Sequence, residues 1–288
     1  MDMESKKAYP LSHYRDTVIS YLKEGGDYFK VIPSGFNDLD FIIGGFSKGS
    51  VSVIAASSNT GKTFFLLSLA KNVAKSGKKV LYLDLEKQAS YNVLRVMSSE
   101  KGNNIYGEIL KCRKKEQYTS LGEEVEGYSF DKDVYKNIYY VDCTRITLSE
   151  ISELCVGGAY DIVILDYYQK MQSELDCDNT FEKFNTIGYM FRDLTVDNNI
   201  PLVLSSQINN YSEKKEPMMD EAKGANSIIE ECNNSIFLRR ERDDNGNPLN
   251  RLNFWVVKSK NGMQGKGSLY FDPVRGIVGN IDDRREEF

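Results

Sequence analysis

The stretch Ala56-Ser57-Ser58-Asn59-Thr60-Gly61-Lys62-Thr63 decides how this chain is read. Before it, Val51-Ser52-Val53-Ile54-Ala55-Ala56 reads as a buried strand. After it, Phe65, Leu66, Leu69 and Val73 fall at helical spacing and predict a helix from Thr63 to Ser76. A Gly-Lys-Thr triplet between a strand and a helix is the context that a phosphate-binding loop requires. Backbone N–H groups of such a loop point at the phosphates, and the helix dipole favours negative charge there. Lys62 is expected to place its ammonium between the β- and γ-phosphates, and the Thr63 hydroxyl to hold Mg²⁺. The candidate nucleotide-binding residues run without a gap through Ala56, Ser57, Ser58, Asn59, Thr60, Gly61, Lys62, Thr63 and Phe64, with ATP and Mg²⁺ as the implied cofactors. Ala56 stands where such loops usually begin with glycine, a small change that keeps the tight turn open. The bland alternative is a triplet that lies between strand and helix by coincidence.

Working outward, Val80–Leu85, Ile138–Val141, Asp161–Asp166 and Ile200–Ser205 read as further strands. Residues 87–99, Leu148–Cys155 (with Thr147 as N-cap) and Phe181–Asn198 read as helices. Alternating strands and helices predict an α/β fold, a mostly parallel central sheet with helices on both faces. Towards the end, Ile236–Arg240, Leu252–Lys258 and Ser268–Phe271 are strand-like, and the turn Asp243-Asp244-Asn245-Gly246 predicts a C-terminal β-hairpin region. Residues 100–136 are polar and show few periodic apolar positions. At the start, residues 1–30 read as a tail and a linker helix, with Leu11, Tyr14, Val18, Tyr21 and Leu22 at helical spacing before Gly25-Gly26. That helix packs either on its own core or on a neighbouring subunit. Residues 31–288 are expected to form one domain.

Three polar positions at strand ends complete the candidate site. Asp166 closes an apolar strand; after a phosphate loop, such an Asp binds Mg²⁺ directly or through water. Glu86 and Asp84 both stand near the end of the second strand, and either carboxylate can activate water for attack on a γ-phosphate. Strand alternation puts both on the same face, so spacing alone does not choose between them. Gln207 follows another strand, where an amide can sense the γ-phosphate.

Composition excludes several chemistries. The net charge of −5 supplies no global positive field, so any nucleic-acid contact must come from local loops or a groove. The five cysteines form no C-x-x-C pair, and His13 is the one histidine, which argues against a Cys/His zinc site or a His-based triad. A reducing compartment fits those cysteines. No apolar run approaches the roughly 18–20 residues of a membrane span. Met1–Pro10 lacks the apolar core of a signal peptide, so the expectation is a cytoplasmic protein without a membrane partner.

With these residues in place, the chain resembles the ATPase core of DnaB-type replicative helicases, a RecA-like P-loop NTPase. The resemblance is carried by Ile32-Pro33-Ser34-Gly35-Phe36-Asn37-Asp38-Leu39-Asp40 and by Gly44-Gly45-Phe46-Ser47-Lys48-Gly49. It is also carried by the loop beginning with Ala56, by Leu85-Glu86, by Asp166-Tyr167-Tyr168-Gln169-Lys170-Met171, by Ser206-Gln207 and by Lys258-Ser259-Lys260-Asn261-Gly262. Lys223-Gly224, followed by Ser227-Ile228 and Glu230-Glu231, resembles the family's channel-lining segment. The resemblance spans about residues 11–275.

It implies a hexameric ring that moves on single-stranded DNA and unwinds duplex, with Glu86 rather than Asp84 as catalytic base and Gln207 as γ-phosphate sensor. Lys258 and Lys260 would reach a neighbour's ATP site, Lys260 in a catalytic role. Lys214, Lys215, Lys223 and Gly224 would line the DNA channel, where basic groups track a phosphate backbone without reading bases. A primase or a helicase loader is an implied partner. Two departures stand out. The family's arginine finger position holds Lys260, a point charge without the planar fork of arginine, with Arg239, Arg240 or Arg242 as candidate substitutes for the finger. Only residues 1–30 precede the core, which implies that loading or ring stability depends on another protein and suits a phage or mobile-element helicase. The competing readings are a RecA-like ATPase that does not unwind (a recombinase, loader or regulator) and a nucleotide-binding scaffold without chemistry.

Overall fold

The computed structural model describes residues 11–23, 30–127, 132–172, 180–208, 217 and 227–281. Its elements in chain order are α1 (Leu11–Lys23), β1 (Val31–Ile32), α2 (Asn37–Ile43), β2 (Phe46–Ser47), β3 (Val51–Ala56), α3 (Lys62–Lys75), β4 (Val80–Asp84), α4 (Ala89–Lys101), α5 (Ile105–Lys111), α6 (Lys115–Glu126) and α7 (Lys132–Tyr135). They continue with β5 (Ile138–Asp142), α8 (Leu148–Cys155), β6 (Ile162–Asp166), α9 (Thr180–Asp197), β7 (Leu202–Gln207), the short helix Ser227–Glu231, β8 (Asn234–Arg242), β9 (Pro248–Ser259), β10 (Gly265–Asp272) and β11 (Ile277–Gly279).

Among the described residues the main sheet has nine strands in the order β11-β10-β9-β8-β3-β7-β6-β4-β5. From β8 to β5 all neighbours run parallel. The strands β3, β4 and β6 are buried at every residue, as a strand covered on both faces must be. Alternate side chains feed two apolar layers. Ile54 and Ala56 of β3 face a layer with Phe65, Leu66, Leu69, Ala70 and Val73 of α3. Val51, Val53 and Ala55 face the opposite layer, with Ile151 of α8 and Ile187, Phe191 and Leu194 of α9. The apolar stripe of α3 follows the 3.6-residue period, and each large side chain buried there contributes roughly 1.5–3 kcal/mol. The helix stops at Ser76 and Gly77, whose N–H groups donate to Val73 and Ala74. Gly77 adopts φ 80°, the left-handed closure that glycine takes without strain.

Several expectations change. The C-terminal β-hairpin region is present, with β8 and β9 paired antiparallel across its turn; because β8 also pairs in parallel with β3, the hairpin, β10 and β11 extend the main sheet. The predicted turn is present, with Gly246 N–H donating to Asp243 O at 2.9 Å and Asp243 Oδ1 accepting from Asn245 N–H at 3.0 Å. Residues 100–136 hold α5, α6 and α7. Periodicity misses α6 because none of its residues is buried. Its start is fixed by Gln117 Oε1, which accepts from the N–H groups of Arg113 and Lys114 at 2.7 and 3.0 Å. Thr147 caps α8 as expected, with Glu150 closing a capping box. In α1, Leu11, Val18 and Leu22 are exposed, so these three do not pack on the core.

What the sheet does for function is to bring four distant residues to one edge. Ala56, Asp84, Asp166 and Gln207 are the last residues of β3, β4, β6 and β7. Ala56 is register partner to Gln207, and Asp84 to Asp166. The carboxyl ends of parallel strands are where ligands bind in such sheets.

Candidate phosphate and metal site

The loop between β3 and α3 is shaped by two left-handed residues, Asn59 (φ 59°) and Gly61 (φ 117°). A Cβ on Gly61 would meet the Phe271 ring at 2.8 Å, so both backbone angle and space require glycine there. Ser57 and Thr60 bond to each other through their hydroxyls at 3.0 Å. No side chain caps the N-terminus of α3. Its first N–H groups, with the positive end of the helix dipole, are therefore open to an anion.

Lys62 is folded back along its own loop. Its Nζ donates to the carbonyls of Ala56 and Ser57, both at 2.9 Å. Burial lowers its pKa, and the nearby Asp166 and Glu86 carboxylates oppose that shift. The ammonium still lines a cavity of about 200 Å³ together with Thr63, Glu86, Asp166 and Gln207. Ser58, Asn59, Gly61 and Phe64 line it too. Ala56, Ser57 and Thr60 do not; they act behind the surface, holding Lys62 and the loop.

Asp166 is buried, and its Oδ1 accepts from Ser205 Oγ at 2.5 Å. Its Oδ2 is buried with no hydrogen-bond partner among the described residues. Burial raises its pKa, against the Ser205 and Thr63 hydroxyls, which lower it. An orphaned carboxylate oxygen beside a threonine hydroxyl is a donor set suited to Mg²⁺, which takes few protein oxygens and fills its other positions with water and phosphate. The described residues contain no group of three or more Cys, His, Asp or Glu that could hold a different metal.

Glu86 and Asp84 do not share a face. The strand stops at Asp84, and Asp84 Oδ1 turns the chain by accepting from the N–H groups of Glu86 (2.8 Å) and Lys87 (3.0 Å). Asp84 Oδ2 accepts from Tyr140 OH at 2.6 Å and from Asn92 Nδ2 at 2.5 Å. Asp84 is thus buried and fully bonded, whereas Glu86 is exposed on the cavity wall. Gln207 ends β7 instead of following it, and the amide of Gln169 grips its backbone from the loop after β6.

The family model described as the DnaB-like helicase C terminal domain matches residues 31–275. The chain belongs to this family. A replicative DNA helicase DnaB of Geobacillus stearothermophilus is 27% identical over 269 residues, covering 89% of this chain and 58% of that protein. The chain thus spans little more than half the length of that curated relative. A solved structure of a single ATPase domain superposes with a TM-score of 0.78 at 20% identity, covering 96% of this chain and all of that one. A DnaB-like replicative helicase, solved in a study of its interactions with primase, superposes with a TM-score of 0.74 at 20% identity over 96% of this chain and 68% of the other. These superpositions establish the RecA-like fold.

In this DnaB-like domain, Lys258 near the end of β9 and Lys260 just after it lie by the start of β8, and neither lines the domain's own phosphate cavity. Lys258 Nζ donates to Ile229 O at 3.4 Å, and Lys260 is exposed. Lys214, Lys215, Lys223 and Gly224 fall outside the described residues. Arg95 and Phe271 also line the cavity and were not singled out in the sequence; Arg240, expected only as a stand-in for the arginine finger, lines it as well. The Arg95 guanidinium sits 4.9 Å over the Phe64 ring, and that of Arg240 sits 5.2 Å over Phe271. A signal for Arg95 was present: Lys87, Tyr91 and Arg95 recur at four-residue spacing, so one helical face after Glu86 points towards the loop. A second cavity of about 510 Å³, lined in part by Tyr91 and Tyr106, shares Phe64, Glu86 and Arg95 with the first. No helix among the described residues is long and apolar enough to cross a membrane.

Proposed function

We propose that this DnaB-like domain is the ATP-hydrolysing motor of a replicative DNA helicase, working in the cytoplasm as a hexameric ring on single-stranded DNA. The observation that carries the reading is buried Asp166, whose Oδ2 is unpartnered among the described residues, beside Thr63 at the uncapped start of α3 on the wall of the phosphate cavity. A buried carboxylate oxygen without a hydrogen bond is destabilising by about 1–3 kcal/mol or more. A cation bound there would account for its retention.

Thr63 and Asp166 would hold Mg²⁺, which supplies charge neutralisation on the β- and γ-phosphates. Lys62 would exchange two neutral carbonyl partners for phosphate oxygens, a stronger charge-assisted pairing. Glu86 would take a proton from the attacking water, and Gln207 would donate to the γ-phosphate. Arg240, lying over the Phe271 ring that packs against Gly61, would offer a flat cationic surface to the nucleotide. Lys258 and Lys260 do not line their own cavity and would complete that of the neighbouring subunit. Lys214, Lys215, Lys223 and Gly224 would contact the DNA backbone. A primase is the partner class this domain would engage, since the DnaB-like neighbour is described with one.

The test combines ATP turnover, displacement of a strand from a forked duplex, and particle mass. Unwinding by a six-subunit species is the expected result. Turnover without strand displacement in every assembly state would replace the helicase with a RecA-like ATPase that does not unwind. Undiminished turnover in Lys62→Ala would reject the site itself.

A further inference from the structure

The buried polar cluster behind the candidate base is larger than a turn needs. Asp84 and Asn92 are 1% and 2% exposed, so every hydrogen bond they make is internal. One oxygen of Asp84 holds the backbone of Glu86 and Lys87. The other accepts from Asn92 Nδ2 and Tyr140 OH. Asn92 Nδ2 also donates to Tyr140 OH at 2.7 Å, and Asn92 Oδ1 accepts from Arg95 Nη1 at 2.8 Å.

From this geometry we infer that Asp84 and Asn92 are positioning residues, which set Glu86 and Arg95 against the same phosphate cavity through a single carboxylate. The inference rests on the ATP-hydrolysis reading and deepens it. An asparagine amide has a donor end and an acceptor end. Asp84 accepts only, so it fixes the NH₂ of Asn92 towards itself. The carbonyl must then face outward, where a guanidinium can donate to it. A flipped amide would set oxygen against carboxylate and NH₂ against guanidinium, both repulsive. Tyr140 stays a donor in this arrangement, because burial and the Asp84 carboxylate push its pKa up. The Phe64 ring, stacked under the guanidinium, holds Arg95 from the other side. Arg95 is thereby fixed at the wall of the cavity instead of sampling solvent.

A double-mutant cycle on ATP turnover separates this role from a merely structural one. Asn92→Leu keeps the approximate volume and removes the amide. It is expected to lower kcat about tenfold, the lower range for losing an orienting partner of an active-site group. In the Arg95→Ala background the same substitution is expected to lower kcat by a clearly smaller factor, because the share of its effect that passes through Arg95 is already lost. Equal losses in both backgrounds would overturn the inference, as would an unchanged kcat in Asn92→Leu alone. Should Asn92→Leu fail to fold, Tyr140→Phe takes its place. It keeps the ring stacked on Tyr82 at 5.3 Å and removes only the hydroxyl. A loss of about threefold, seen only when Arg95 is present, supports the relay; a loss independent of Arg95 refutes it. The wild-type chain, assayed alongside, keeps the two readings apart. Nucleotide binding without turnover there would reject both hydrolysis and the relay, whereas normal turnover with additive variants rejects the relay alone.

Discussion

Gln169 holds Gln207 with both ends of its side-chain amide: Nε2 donates to the Gln207 carbonyl at 2.9 Å, and Oε1 accepts from the Gln207 N–H at 3.3 Å. Nε2 also donates to Ser206 Oγ at 3.1 Å. The loop after β6 and the end of β7 are thereby one unit, with Asp166 on one side and Gln207 on the other. Gln169→Ala is expected to lower ATP turnover about tenfold and to abolish any stimulation by single-stranded DNA. Turnover measured with and without DNA checks this, and stimulation at the wild-type level would dissociate Gln169 from the coupling.

Asp166→Asn should separate stability from activity. Burial raises the Asp166 pKa, so the folded state disfavours its ionised form. The wild-type chain therefore loses stability as pH rises from the unfolded carboxylate pKa through the raised folded value, and the neutral amide does not. At neutral pH and without divalent cations, the variant is expected to be more stable by about 1 kcal/mol and inactive. The stability gain should vanish below the unfolded pKa. Denaturant melts across pH, in chelator, provide the measurement; a less stable variant at neutral pH would mean that Oδ2 has an unseen partner.

Glu86→Gln is expected to lower kcat by about 10²–10⁴ while leaving ATP binding and the melting temperature near wild type, since Glu86 is exposed and makes no packing contact a glutamine would lose. Asp84→Asn should lower melting temperature and kcat together, because Asp84 accepts four hydrogen bonds and an amide cannot replace them all. Binding, turnover and melting curves on the two variants distinguish them. A fully active Glu86→Gln enzyme would remove it as the base.

Lys260→Ala should reduce turnover only under conditions where subunits assemble. The exposed Lys260 does not line its own cavity, so an isolated subunit has nothing to lose. Turnover against protein concentration, with mass measured on the same samples, is the check. Equal rates for variant and wild type in the assembled state would free Lys260 from a catalytic role.

How much of this was legible in the sequence depends on how local each signal is. The phosphate loop is contiguous and bounded by periodic apolar residues, so Lys62 and Thr63 could be placed directly. Asp166 and Gln207 were legible because both end apolar strands. Asp84 and Glu86 were misplaced on one face because alternation holds only while a strand continues, and Asp84 itself ends β4 by capping the turn. Arg240 and Phe271 reach the cavity through the pairing of β8 with β3 and of β10 with β9, long-range choices that no local pattern encodes. The helix α6 escaped notice because burial, the source of amphipathic periodicity, is absent from it.

The strand that delivers the phosphate loop and the strand that carries Lys258 are separated by one strand, β8. Hydrogen-bonded ladders flank β8 on both sides, interrupted against β9 by bulges at Ser235/Ile236 and Arg240/Arg242. In the proposed ring, each protomer's receiving end and donating end belong to one stiff plank. Such an assembly would advance by rocking whole protomers against each other, so the stroke would be set by the angle between neighbours and not by bending within any one of them.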